Sequence, residues 1–171
     1  EDKFLKNNLK IINDSTTEVT PWQLLALDDD PEIEFIRAKK YGYQFGYEDL
    51  RLVYKNSKIK LAYFTSDFYE HAGMINMEGI FKHHDKNKFE IYAFDYGNFH
   101  QDPTHQRVKK YFNHFFYIDK KSDDAVNKII KDHKIDIVIH RNGYSQNSRN
   151  SLFAKKLAPL QISFLGYPGT M

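Results

Sequence analysis

After Lys58 the chain alternates short apolar runs with amphipathic stretches, and this alternation restricts the possible folds more than any other feature. Ile59 to Thr65, Phe89 to Phe94, Phe115 to Ile118, Ile135 to Ile139 and Leu160 to Leu165 read as five strands. Helical candidates lie between them, near 74–83, 104–113, 122–133 and 147–157, and Ser122 with Asp123 and Asp124 supplies an N-cap and first-turn acids for the third. Strands that are apolar along most of their length are covered on both faces, and strands separated by helices pair in parallel. The expected fold is therefore α/β, a doubly wound parallel sheet of order 3-2-1-4-5. Its ligand crevice lies outside the carboxyl ends of strands 1 and 4, where the winding reverses.

Residues 1–57 read as a helical extension, with the half-domain proper at 58–171. Leu5, Leu9 and Ile12 recur at helical spacing before Asn13 to Thr17 interrupt it. Thr20-Pro21 and Asp30-Pro31 each place a capping residue before a proline at the first helical position. Asp28-Asp29-Asp30 reads as capping and dipole complementarity rather than as a metal-binding Asp-x-Asp. No internal repeat is visible, so no solenoid is encoded here.

The 25 Lys and Arg against 23 Asp and Glu are interspersed, which argues against a nucleic-acid track. The absence of cysteine excludes disulfides and thiolate metal sites. No apolar run approaches the roughly 20 residues of a membrane span, and Glu1-Asp2-Lys3 does not open a signal peptide. A cytoplasmic protein with no membrane partner is expected.

Three loops reach the crevice of such a sheet. They are Ser66-Asp67-Phe68-Tyr69-Glu70-His71 after strand 1, His140-Arg141-Asn142-Gly143-Tyr144-Ser145 after strand 4, and Leu165-Gly166-Tyr167-Pro168-Gly169-Thr170-Met171 after strand 5. Asp95 to Asn98, after strand 2, reads as an ordinary turn, and His83 and His84 as exposed. His71 stands at a helix entry, and an imidazole, with its ordinary pKa of about 6.5, suits proton traffic at neutral pH. A simple polar residue near a helix N-terminus is the competing reading. His140, at the end of strand 4, is a candidate second polar group of the crevice, with an ordinary strand-end histidine as the favoured reading. No zinc-ligand spacing, no Gly-x-Gly-x-x-Gly and no Gly-x-Ser-x-Gly occurs. The last loop, with two glycines and a proline, has the composition of backbone that approaches a ligand closely. A domain does not normally end on such a loop, so the polypeptide reads as the front part of something larger.

The segments LAYFTSDFYEH, FEIYAFDYG and IVIHRNGYSQNSRNSLFAKKLAPLQISFLGYPGT resemble the N-terminal half of the catalytic region of the O-linked N-acetylglucosamine transferase family. The order Asn142-Gly143-Tyr144, Arg149-Asn150, Leu152-Phe153-Ala154, Ala158-Pro159, Gln161 and Leu165 to Thr170 carries the likeness, which covers residues 59–171. TPWQLLALDDDPEI is similar to the linker before that region.

The resemblance implies a Rossmann-like half of an inverting GT-B glycosyltransferase. Such an enzyme moves N-acetylglucosamine from UDP-GlcNAc to Ser or Thr hydroxyls of a protein or peptide acceptor, with no cofactor and no bound metal. It implies His71 as the active-site histidine, a general base or substrate-orienting group, and Asn142, Tyr144, Leu165, Gly166 and Pro168 as substrate-binding residues. A C-terminal domain with the phosphate-binding lysine and uridine pocket, and upstream tetratricopeptide repeats, are the further expected partners. The alternatives are a UDP-sugar epimerase of the same two-domain shape and a non-catalytic protein-binding module.

Two places depart from the family pattern. Ala72-Gly73-Met74 follows the histidine where a proline often stands, and His140-Arg141 ends strand 4 where Asp or Asn is frequent. On this reading Gly166→Val abolishes transfer by obstructing the sugar, while the domain melts near its ordinary temperature.

Overall fold

The computed structural model of the chain describes residues 20–26, 29–46, 51–145 and 147–167. The expectations for Leu5, Leu9 and Ile12, for Asp28 and for Pro168 to Met171 fall outside these residues.

The extension holds α1 (Pro21–Leu24) and α2 (Pro31–Tyr43). Thr20 caps α1 in a capping box with Gln23, and the Asp30 carboxylate caps α2 by accepting from the Glu32 N–H at 2.9 Å. Residues 51–56 form no helix. They lie against the half-domain, where Asn56 donates to the Asp136 carboxylate at 2.8 Å.

β1 (Ile59–Thr65), α3 (Ala72–His83), β2 (Phe89–Asp95), α4 (Pro103–Val108), β3 (His114–Tyr117), α5 (Asp123–His133), β4 (Ile137–His140), α6 (Asn150–Ala154) and β5 (Leu160–Ser163) then follow. All neighbouring strands are parallel, in the order β3-β2-β1-β4-β5, so the winding reverses between β1 and β4 as expected.

Successive strand residues point to opposite faces, and this period divides the core in two. Leu61, Tyr63, Ile91 and Ala93 pack with Met74, Met77 and Phe81 of α3 and Val108 of α4. Ala62, Phe64, Tyr92, Phe94 and Val138 pack with Val126 and Ile130 of α5 and Leu152 of α6. The Phe64 and Phe94 rings stack 4.4 Å apart across β1 and β2.

The second helical candidate ends early as an α-helix, with Lys109–Tyr111 continuing as a 3-10 turn. The fourth shrinks to α6 because the chain before it is held out of helical geometry. Asn147 has φ +61°, and Arg149 reaches away to the Asp123 carboxylate and the Ile118 carbonyl, both at 2.8 Å. Among the described residues no helix is long and apolar enough to cross a membrane.

Candidate active site at the carboxyl edge of the sheet

α3 begins at His71 because that side chain caps it. The His71 Nδ1 accepts from the Gly73 N–H at 3.1 Å, and the Met74 and Ile75 N–H groups close onto the His71 carbonyl. An amide N–H can only donate, so Nδ1 is the acceptor and the proton of the neutral ring resides on Nε2. His71 is exposed, its ring 5.4 Å from that of Tyr69, which stacks on Phe99 at 3.9 Å. The loop leading to it is fastened from α4. Asp102, the α4 cap, accepts from the Glu70 N–H at 3.2 Å, and the buried His105 ring bonds the Phe68 carbonyl at 2.8 Å.

Behind His71 a buried polar hub ties three loops together. Asn142, 1% exposed, accepts at Oδ1 from the Tyr96 hydroxyl at 2.8 Å and the Ser66 N–H at 3.3 Å. Its Nδ2 donates to Ser66 Oγ at 3.0 Å and to Asp67 Oδ2 at 3.1 Å. Asp67 also receives the Arg141 guanidinium at 3.1 Å. All four hydrogen-bonding positions of the Asn142 amide are thus occupied within the protein, and the residue organises the crevice floor.

Asp95 to Asn98 is not the ordinary turn that its sequence suggests. Tyr96 belongs to the hub, and a Cβ at Gly97 would stand 3.0 Å from the Ser66 carbonyl carbon. Burial, reinforced by Asp119 and Asp67 and opposed by the Gly97 N–H, pushes the Asp95 carboxyl up to about 7. The hub rests on pairs some 76 positions apart, such as Ser66 with Asn142, for which no local sequence pattern exists. The one signal available was a polar side chain following directly on an apolar strand in three separate loops.

The loop after β5 is laced onto the loop after β4. The Tyr144 N–H donates to the Tyr167 carbonyl at 2.7 Å, and the Phe164 N–H to the His140 carbonyl at 3.0 Å. Leu165 and Gly166 adopt φ +59° and +63°, a conformation that costs a leucine on the order of 1–3 kcal/mol. A Cβ on Gly166 would stand 2.6 Å from the Asn142 carbonyl oxygen and closer still to that of Arg141. The glycine is required by the protein's own backbone, so the expectation that a side chain there leaves the domain intact does not hold. Tyr144 is buried edge-on against Tyr41 of α2 at 5.6 Å, and Tyr167 meets Trp22 of α1 at 5.3 Å, so the extension braces both loops.

His84 is half-buried rather than exposed, its Nε2 2.7 Å from the Tyr63 hydroxyl. His140 points with Val138 toward α6, where its ring stacks on Phe153 at 3.8 Å and its Nε2 lies 3.1 Å from Ser148 Oγ. Burial pushes its pKa down to about 3. The folded state keeps this ring neutral while the unfolded chain protonates it below about 6.5. Its contribution is therefore full above that pH and lost as the pH falls toward 3. Asp95, held protonated up to about 7, has the opposite slope between pH 4 and 7, so the two must be separated by mutation. In denaturation at pH 6.5 and 5, His140→Asn is expected to lose about 2 kcal/mol less than wild type between these values. Parallel losses in the two proteins would contradict a neutral buried His140.

Similarity to known proteins adds to this geometry. The chain is 34% identical over 113 residues to the probable UDP-N-acetylglucosamine–peptide N-acetylglucosaminyltransferase SEC of Arabidopsis thaliana, covering 66% of this chain and 12% of that protein. It is 32% identical over 122 residues to the UDP-N-acetylglucosamine–peptide N-acetylglucosaminyltransferase of Caenorhabditis elegans, covering 69% of this chain and 10% of the relative. The chain thus spans about an eighth or less of the length of these relatives. The fold superimposes with a TM-score of 0.78 on a lysine-to-methionine variant of the O-GlcNAc transferase of Thermobaculum terrenum, at 17% identity over 85% of this chain and 30% of that one. The family model of glycosyl transferase family 41 matches residues 32–171, running from α2 through His71 and the hub to the last loop, and by this match the chain belongs to that family.

Proposed function

We propose that the chain is the N-terminal half of the catalytic region of an inverting transferase that moves N-acetylglucosamine from UDP-GlcNAc to Ser or Thr hydroxyls of polypeptides. The observation that carries the reading is that the family match, over residues 32–171, takes in every loop of the crevice. In the reaction the hydroxyl oxygen attacks the anomeric carbon, the bond from that carbon to the diphosphate breaks, UDP departs and the hydroxyl proton passes to an acceptor. The cap bond leaves the Nε2–H of His71 facing outward, and a donor there orients the acceptor oxygen or steadies developing negative charge. Taking a proton at Nδ1 would require that bond to open, so orientation is the role that fits the ground-state geometry.

Leu165 and Gly166 supply the backbone turn beside the crevice, and Pro168 is a further substrate-binding residue of this reading. The UDP moiety is held by a second Rossmann-like domain, no metal takes part, and the protein works in the cytoplasm, with tetratricopeptide repeats upstream. The test is to incubate the complete protein with sugar-labelled UDP-GlcNAc and hydroxyl-bearing peptides. Label on a Ser or Thr oxygen is expected. An isomerised nucleotide sugar would indicate an epimerase, and donor left unconsumed with every acceptor would indicate a binding module.

A further inference from the structure

Arg141 leaves β4 with its backbone N–H on the Phe64 carbonyl at 3.1 Å, and its side chain is only 3% exposed. One terminal nitrogen pairs with Asp67 at 3.1 Å, while Nε is buried without a partner. The guanidinium lies against the first turn of α3. A Cβ on Gly73 would stand 2.7 Å from its Cζ and nearer still to both terminal nitrogens, so the cation fills the space that any other residue at position 73 would need.

A cation at this end of a helix opposes the dipole by roughly 0.3–1 kcal/mol, and a buried Arg with an orphaned nitrogen costs more. Helix stability therefore does not explain Arg141. What the guanidinium touches is the residue whose N–H fixes His71: among the described residues, the Gly73 bond is the one hydrogen bond of the His71 ring.

We propose that Arg141 is a positioning residue for His71. Its planar guanidinium, set between Asp67 and Gly73, fixes the entry of α3 and with it the direction in which the imidazole presents Nε2–H. The inference rests on the transferase reading for its kinetic consequence, not for its geometry.

The experiment is a cycle in the complete protein comprising wild type, Arg141→Met, Gly73→Ala and the double variant. Each single change is expected to lower kcat by about 10-fold, with KM for UDP-GlcNAc held within about twofold. In the double variant the methyl added at position 73 enters space that the guanidinium no longer occupies, so in the Arg141→Met background Gly73→Ala adds less than about twofold. Arg141→Lys retains the charge beside Asp67 and recovers melting temperature, but kcat stays low because an ammonium does not fill the same plane. Multiplying single effects, or full recovery of kcat by lysine, overturns the proposal.

Carbethoxylation of His71 by diethyl pyrocarbonate, followed by peptide mass spectrometry, gives a readout that does not depend on transfer. Its rate is expected to change by about threefold or more in each single variant, with no further change on adding Gly73→Ala to Arg141→Met. If wild type transfers no sugar while these rates follow the cycle, the transferase reading fails and the positioning claim stands. If wild type transfers sugar while His71 reactivity is the same in all four proteins, the positioning claim fails alone.

Discussion

Gly166→Val is expected to abolish measurable sugar transfer, a loss of at least about 10²-fold, and to destabilise the domain by about 2–4 kcal/mol. Both effects have one origin. The backbone at Gly166 lies at φ +63°, where a β-branched residue is strained, and its Cβ would press on the carbonyls of Arg141 and Asn142. Relief requires the loop after β5 to lift, which breaks the Tyr144 to Tyr167 bond and removes the cover over the hub loop. A thermal melt and a transfer assay on the same preparation separate the components. A variant that melts with wild type but does not transfer would mean that the side chain meets substrate rather than backbone, and wild-type values in both would make the loop dispensable.

His71→Ala is expected to reduce transfer by roughly 10²–10³-fold, the usual effect of removing one donor aimed at developing charge. The exposed His71 ring buries little surface, so the accompanying loss of stability is that of an N-cap, about 1 kcal/mol. His71→Asn separates the two roles. An Asn side chain caps α3 as well as an imidazole but presents no N–H at the distance of Nε2, so stability should return while activity does not. Transfer by His71→Ala within about threefold of wild type would make His71 a cap and nothing more.

Much of the fold was legible in the sequence because its causes are local. Apolar strands such as Ile59–Thr65 and Phe89–Asp95 announce burial on both faces, and Ser122, Asp30 and Thr20 announce helix starts. His71 was legible for the same reason, since capping α3 fixed its place outside the end of β1. The hub of Ser66, Asp67, Tyr96 and Asn142 was not, because it joins loops that only the finished sheet brings together. Nor were the reasons for two glycines. Gly166 suggested a ligand against its backbone, whereas the neighbours that exclude a side chain are protein carbonyls. Gly73 stood out only as part of an altered helix entry, and its explanation is a guanidinium 68 positions away. The shortening of α6 likewise follows from where Arg149 finds its partners, outside any local helical pattern.

In the proposed reaction this half-domain presents the acceptor hydroxyl to His71 at the crevice between β1 and β4. A crystal structure of the complete protein with UDP and a serine-containing acceptor peptide tests it most directly. The serine oxygen is expected within about 3 Å of His71 Nε2, with the Gly73 N–H still donating to Nδ1. An acceptor bound with its hydroxyl remote from His71 and from the loops of Asn142 and Gly166 would contradict it.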